Sequence, residues 1–360
     1  MKILLIDLFG KMAGSTYAIY HLTLGLKGRG HQITVLSKPK TFFNELLKDS
    51  DLRHIELDAS GKFDFNSVRK IASVVTENSI DVIFSQGTTD RYLTIFAKWF
   101  YVPNVKLYHI RQQKPIAQNQ LKGWFYQKGT YGIVAASDAV KQFLIDGGID
   151  GDHITVINNS VEIPDLRTHL IVSERLRNEY KITNGDFVIG CVSRIKKQAQ
   201  ILEALTKIES PVVMIFVGIN KSDIKNQNFG SVDHHKIIFT GEIDREKTLA
   251  HYPLLNLKIL ASDMEGFSLS ILEAMNFSVP VIATKASGNT DLIDDGNNGL
   301  LFEDGNIDDL KNKILRLKSE AGLKEKLTEK GLKTVNEKYS YKRMIDQYEQ
   351  LALNTGLEQS

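Results

Sequence analysis

Cysteine is nearly absent from these 360 residues, and the single one, Cys191, lies in the apolar run FVIGCVS. One thiol cannot close an intrachain disulfide or found a cysteine-built metal site, so Cys191 is expected to be a buried thiol in a reducing compartment. Long apolar runs are missing as well. The longest candidate, Leu93 to Val102, falls short of the ~20 residues that span a bilayer and carries Lys98. The opening MKILLIDLFG contains Asp7 and lacks the long apolar segment and small-residue cleavage site of a secretion signal. It is expected to form a first strand, in a cytoplasmic protein. Charge of one sign is scarce overall: 45 Lys and Arg against 43 Asp and Glu leave a net +2, too little to point to nucleic acid as a partner.

What is present is an ordinary globular composition, 42% hydrophobic and 24% charged. The length suits two domains with a cleft between them. The small net charge is unevenly spread. From Arg91 to Ser137 there are seven Lys or Arg residues and no Asp or Glu, interleaved with Tyr92, Phe96, Trp99, Phe100, Trp124, Phe125 and other aromatics. That mixture suits an anionic membrane surface or an anionic acceptor.

Short β-rich runs alternate with helical stretches along most of the chain. KILLID, QITVLS, DVIFSQ, KLYHI, GIVAAS and ITVIN predict the strands of a doubly wound parallel sheet, with a first helix from about Thr16 to Lys27 capped by Ser15 or Thr16 and ended by Gly28 and Gly30. After NNSVEIPD the pattern turns polar and helical from about Leu166 to Tyr180, then restarts with FVIGCVS, PVVMIFVG, KIIFTG, LKILAS and VPVIAT. The expectation is α/β architecture in two Rossmann-like domains facing a cleft, residues 1–165 and 166–338. A terminal helix over 339–360 is expected to pack back toward the first domain. Ligands in open sheets of this kind bind at the carboxyl ends of the strands.

The most informative stretch runs from Ala261 to Phe302, ASDMEGFSLSILEAMNFSVPVIATKASGNTDLIDDGNNGLLF. Here a strand ends, a loop carries Glu265 and Gly266, and a helix starts near Phe267 or Ser268. Free backbone N–H groups at a helix start, with its dipole, make a diphosphate site, and Gly266 lets the backbone approach closely. Glu273 lies one turn beyond Leu269, about 6 Å along the axis, where it could grip a diol while Glu265 faces the other end of the ligand. Either Glu alone would also fit as the buried carboxylate of a common strand-loop-helix unit.

Glu265 and Glu273, seven residues apart in EGFSLSILEAM and followed by PVIATKASGNTDLIDDGNNGLLF, closely resemble the signature of the family 4 glycosyltransferases of GT-B fold. The resemblance covers nearly the whole chain. It implies that Glu265 contacts donor-sugar hydroxyls, that Phe267, Ser268 and Leu269 offer backbone N–H groups to sugar and diphosphate, and that Glu273 holds the ribose. CVSRIKKQAQILEA resembles the segment in which an Arg and a Lys clamp the diphosphate, which gives that role to Arg194 and Lys197. The Arg-to-Lys spacing is shorter than usual and the customary Gly after Lys197 is missing, so Lys196 stays a candidate. Such cations stabilise a departing nucleoside diphosphate without Mg²⁺, and no metal or other cofactor is expected. FGKMAGSTY resembles the family's glycine-rich loop and places Gly14 against the donor; KLYHIRQ resembles the strand end with a cleft histidine, His109. SQG, AASDAV and VINNSVE match further loops, with NNS where PNG is usual.

The resemblance implies retaining transfer of a hexose or N-acetylhexosamine from a nucleotide diphosphate sugar, UDP before GDP, to a saccharide or lipid-linked acceptor. Cell-surface polysaccharide or lipopolysaccharide assembly is the implied setting. A nucleotide-sugar epimerase of GT-B fold would share the donor machinery, but its acid and base residues are not matched. A nonenzymatic nucleotide-sugar sensor would not need Glu265, Glu273, Arg194 and His109 together. An NAD enzyme is disfavoured because no GxGxxG follows the first strand.

Overall fold

The computed structural model describes residues 1–48, 50–113, 120–162, 166–224, 231–286 and 288–353. The chain divides into two compact units, Met1–Ser160 with Tyr341–Ser360, and Val161–Ser340. The boundary expected at Pro164 to Asp165 lies outside the described residues.

The amino-terminal unit is built on seven strands: β1 (Lys2–Asp7), β2 (Gln32–Ser37), β3 (Arg53–Glu56), β4 (Val82–Ser85), β5 (Lys106–Arg111), β6 (Gly132–Ala135) and β7 (Ile154–Val156). They lie in the order β3-β2-β1-β4-β5-β6-β7, and every pairing is parallel. The second unit has β8 (Val188–Val192), β9 (Val213–Val217), β10 (Lys236–Phe239), β11 (Leu257–Leu260), β12 (Val281–Thr284) and β13 (Leu300–Phe302), ordered β10-β9-β8-β11-β12-β13 and again all parallel. Helices cover both faces, so central strands such as β1, β4, β8 and β9 are buried almost throughout and read as unbroken apolar runs. Chain direction across the sheet reverses between β1 and β4 in one unit and between β8 and β11 in the other. The carboxyl ends of those strands are therefore where each unit should hold a ligand.

Two strands escaped the sequence pattern. β3 reads RHIE, an edge strand with little apolar content, and β13 is only the three residues LLF. The first helix spans Gly14–Gly28, and its N-cap is Ala13, without a side-chain bond. Neither Ser15 nor Thr16 caps it; the Thr16 hydroxyl instead donates to the Lys11 carbonyl at 2.7 Å. Its end is as expected, with Gly30 in the left-handed region at φ +85. The terminal Tyr341–Leu353 helix buries Met344, Ile345 and Tyr348 in the core of the amino-terminal unit. Tyr341 donates to the His21 carbonyl at 2.6 Å and Tyr108 to that of Leu351 at 3.1 Å, and a side chain at Gly25 would collide with Ile345. Cys191 is buried on β8.

Candidate active site

In the second unit the loop leaving β11 runs into the Leu269–Asn276 helix. Ser268 occupies its N-cap with extended backbone but makes no side-chain capping bond, and the first turn carries no acid. Ile271 N donates to the Ser268 carbonyl at 3.1 Å, whereas Leu269 N and Ser270 N have no partner among the described residues, so these two groups and the positive end of the dipole are left for an outside anion. The loop is held from behind. Gly288 adopts φ +87, and a Cβ there would run into the Glu265 and Gly266 carbonyls, so the two loops stack backbone on backbone. Ser262 N donates to Thr284 Oγ1 at 2.8 Å, Asn289 Nδ2 to the Thr284 carbonyl at 2.9 Å, and Phe267 packs edge-on against Tyr339 at 5.4 Å. The Phe267 ring is therefore committed to the core, which leaves only its backbone for a ligand.

The Glu265 carboxylate forms an ion pair with Lys196, whose Nζ also lies 3.5 Å from Ser262 Oγ. Of the two lysines left open by the sequence, Lys196 is the one brought to Glu265. Lys197 caps the Gln198–Thr206 helix and turns instead to Asp304, with Asp263 at 3.9 Å. The residue in place of the customary glycine explains this geometry. Gln198 is buried; it accepts from Lys196 N at 2.6 Å and donates to Ser193 Oγ at 2.9 Å and the Arg194 carbonyl at 2.8 Å. The Arg194 side chain stands exposed at the edge of this tied loop.

Glu273 is 4% exposed and already engaged by the protein. Oε1 accepts from Arg245 Nη1 at 2.7 Å and Oε2 from Tyr252 OH at 2.6 Å. Burial pushes its pKa up, but Arg245, the Tyr252 hydrogen bond and Lys258 together hold it below the ordinary carboxylate range. A carboxylate keeps further lone pairs beyond these two bonds. Lys258, in the middle of β11, is fully buried and donates to Ser270 Oγ at 3.0 Å in the first turn of the helix. Burial lowers its pKa to about 8, against the opposing pull of Cys191, Glu265 and Glu273. Arg245, Tyr252, Lys258, Gln198 and Gly288 were not singled out from the sequence. Only Lys258 carried a local signal, a charge inside an otherwise apolar strand.

In the amino-terminal unit His109 lies on β5, 1% exposed. Ser85 Oγ is 3.1 Å from its Nδ1, and its Nε2 has no partner among the described residues. Burial, reinforced by Arg91 and Arg111, drives its pKa well below the ordinary value, so the ring is neutral. Gly14 is the first residue of the first helix and exposed; the left-handed glycine of its loop is Gly10, at φ +52. Two carboxylates the sequence reading missed hold this loop at the β1–β4 reversal. Asp7 Oδ1 accepts from Phe9 N at 3.0 Å and Gly10 N at 3.2 Å, while Asp90 accepts from Gly87 N at 2.7 Å and Leu8 N at 3.3 Å. Burial and the neighbouring Asp7 raise the Asp90 pKa to about 7. The asparagines of NNS are ties as well: Asn158 reaches the Ala136 carbonyl at 3.0 Å and Asn159 reaches Gln112. Among the described residues no group of three His, Cys, Asp or Glu side chains is placed to hold a metal ion.

Two family models match in sequence, "Glycosyltransferase Family 4" over residues 12–163 and "Glycosyl transferases group 1" over residues 172–334. The chain belongs to the family 4 glycosyltransferases. Among curated members it is 26% identical over 246 residues to the capsular polysaccharide biosynthesis glycosyltransferase CapM of Staphylococcus aureus, a match that takes in 63% of this chain and only 62% of CapM. It is 22% identical to the N-acetyl-alpha-D-glucosaminyl L-malate synthase of Bacillus anthracis, over 95% of this chain and 91% of that one. Among solved structures, Anabaena Alr3699/HepE in complex with UDP and glucose superposes with a TM-score of 0.83 at 19% identity, covering 98% of this chain and 100% of its own. This likeness establishes the GT-B fold for the family 4 glycosyltransferase described here.

Proposed function

We propose that this glycosyltransferase is retaining and metal-independent, and that it moves a hexose or N-acetylhexosamine from a UDP sugar to a saccharide or lipid-linked acceptor at the cytoplasmic face of a membrane. The observation that carries the reading is the uncapped start of the Leu269–Asn276 helix with the Glu265–Lys196 pair beside it. The donor diphosphate takes the open N–H groups of that helix, and Lys196 swings from Glu265 to a phosphate oxygen. Glu265 is then free to accept from the sugar hydroxyls, while Arg194 and Lys196 stabilise the leaving nucleoside diphosphate in place of a cation. Glu273, preset by Arg245 and Tyr252, takes the ribose hydroxyls on its remaining lone pairs. His109, neutral at working pH, is suited to hydrogen-bond a sugar hydroxyl through Nε2 and not to serve as the base. In a retaining front-face reaction a donor phosphate oxygen accepts the acceptor proton.

UDP is preferred because HepE, of the same fold, was solved with UDP and glucose. The part CapM takes in capsular polysaccharide biosynthesis favours surface polysaccharide synthesis over lipopolysaccharide. The test is release of nucleoside diphosphate from a panel of nucleotide sugars, with and without lipid-linked acceptors and with excess chelator. UDP release that survives chelation, and falls by roughly a hundredfold or more in Glu265→Gln with an unchanged circular dichroism spectrum, is the expected result. A requirement for Mg²⁺, or an unimpaired Glu265→Gln enzyme, would refute it.

A further inference from the structure

The amino-terminal unit carries an apolar surface that its own core does not use. Three helices packed side by side, Phe65–Glu77, Thr88–Phe100 and Gln120–Gly129, with Phe63 just ahead of the first, bring aromatic rings into one contiguous cluster around Phe96. Phe65 stacks on Phe96 at 5.9 Å, and Phe63, Phe100, Trp99 and Phe125 surround the same ring at 5.8–6.3 Å. Yet Phe63 is 68% exposed, Phe100 59%, Phe65 48% and Trp99 39% with the whole chain present, and Leu121 and Trp124 on the adjoining helix are 79% and 58% exposed. Scattered exposed rings are unremarkable, but a continuous patch of this kind marks a contact surface.

Charge decides what the surface contacts. Beside the rings stand Lys62, whose Nζ lies 5.3 Å from the Tyr92 ring centre, and Arg69, whose Nε donates to Tyr101 OH at 3.3 Å, while the same helices carry Lys70 and Lys122. Among the described residues of 60–70, 91–113 and 120–137, Asp64 is the only acid. Its carboxylate is spent capping the Phe65–Glu77 helix, accepting from Asn66 N and Ser67 N at 3.1 Å each. A second copy docked through the same patch in a two-fold manner would set these cations against themselves without compensating acids. Rings and an exposed leucine rimmed by lysine and arginine suit instead a surface with an apolar interior and anionic headgroups, the rings entering the acyl boundary while the long cationic side chains reach the phosphates. No helix among the described residues is long and apolar enough to cross a membrane, so the contact would be peripheral.

We propose that this face docks the amino-terminal unit on an anionic lipid bilayer, with Phe63, Phe65, Trp99 and Phe100 as its apolar anchors. The proposal makes no use of the donor site, and its test runs without any sugar nucleotide, so its failure would leave the assignment of the reaction standing. The chain's only two tryptophans are Trp99, in the ring cluster, and Trp124, exposed on the adjoining helix, so intrinsic fluorescence reads this surface directly. The full chain is centrifuged with vesicles of phosphatidylcholine alone and of equal parts phosphatidylcholine and phosphatidylglycerol, and its emission is recorded with and without brominated acyl chains. Expected are at least ~10-fold stronger binding to the anionic vesicles, a blue shift and quenching by bromine. Phe63→Ser with Phe100→Ser should weaken binding roughly tenfold or more while leaving thermal unfolding by circular dichroism unchanged. Equal binding to both vesicle types would overturn the proposal, as would anionic binding with unaltered tryptophan emission, full binding by the double variant, or a blue shift that follows protein concentration without lipid.

Discussion

Replacement of Lys258 by Met keeps the length of the side chain and removes its charge from the middle of β11. The lysine is fully buried, and burial, with Lys196 adding to it, lowers its pKa from the ordinary 10.5 to about 8. Below pH about 8 both the folded and the unfolded chain carry the proton, and the folded one carries it in a dry place, so the full penalty applies. Between about 8 and 10.5 the folded state sheds the proton while the unfolded state keeps it, and the penalty shrinks as pH rises. A gap of roughly 2.5 pKa units corresponds to about 3 kcal/mol, so Lys258→Met should stabilise its unit by that order at pH 7, or roughly 6–12 °C in Tm, with the gain gone near pH 10.5. Both tryptophans lie in the other unit, so unfolding here is followed by circular dichroism or calorimetry. Working only on the difference between variant and wild type cancels the other groups that titrate over this range. The same change should weaken UDP binding by about tenfold, because a cation beneath the helix start is lost. A difference independent of pH, or a variant less stable than wild type at pH 7, would refute the reasoning.

Arg245→Met leaves Glu273 buried beside Tyr252 without its cation and should cost about 3 kcal/mol, part of which a second change, Glu273→Gln, restores; urea unfolding of the single and double variants checks this. Gly288→Ala combines left-handed backbone with a clash against the Glu265 carbonyl and should cost about 2–3 kcal/mol and most donor turnover, whereas Gly305→Ala, at φ +79 with open space around it, carries the strain alone and should spare activity. Asp90 has a folded pKa of about 7 against an ordinary 3.8, so it ionises in the unfolded chain first and its contribution to stability falls as pH rises from about 4 to 7. Asp90→Asn should flatten that part of the profile of denaturation midpoint against pH.

Much of the architecture could be read from local pattern because a parallel sheet covered on both faces demands uninterrupted apolar strands, and runs such as KILLID and VMIFV have no other use in a polar chain. β3 and β13 failed the same criterion for opposite reasons, one too polar at the sheet edge and the other too short to show a period. The loop at Glu265 and Gly266 and the helix after it were also legible, since a strand, a glycine-bearing loop and a helix in succession are local features. The choice between Lys196 and Lys197 was not. Adjacent residues at a loop-helix junction point in different directions, and the direction here is imposed by three bonds of Gln198, two of them to side chains or backbone the sequence does not mark.

The remaining site residues reach their places through space. Arg245 and Tyr252 come from the segment before β11, and Gly288 from the loop after β12; no spacing rule connects them to Glu273 or Glu265, because each belongs to a different strand-helix connection. Lys258 is the exception, and it shows how far sequence reasoning could have gone. A charge in a strand buried on both faces cannot be left without a polar partner, and Lys258 finds one in Ser270 Oγ, in the first turn of the helix that follows the same strand. Had LKILAS been read with that demand in mind, Lys258 would have pointed to Ser270 and through it to the helix start that Glu265 flanks.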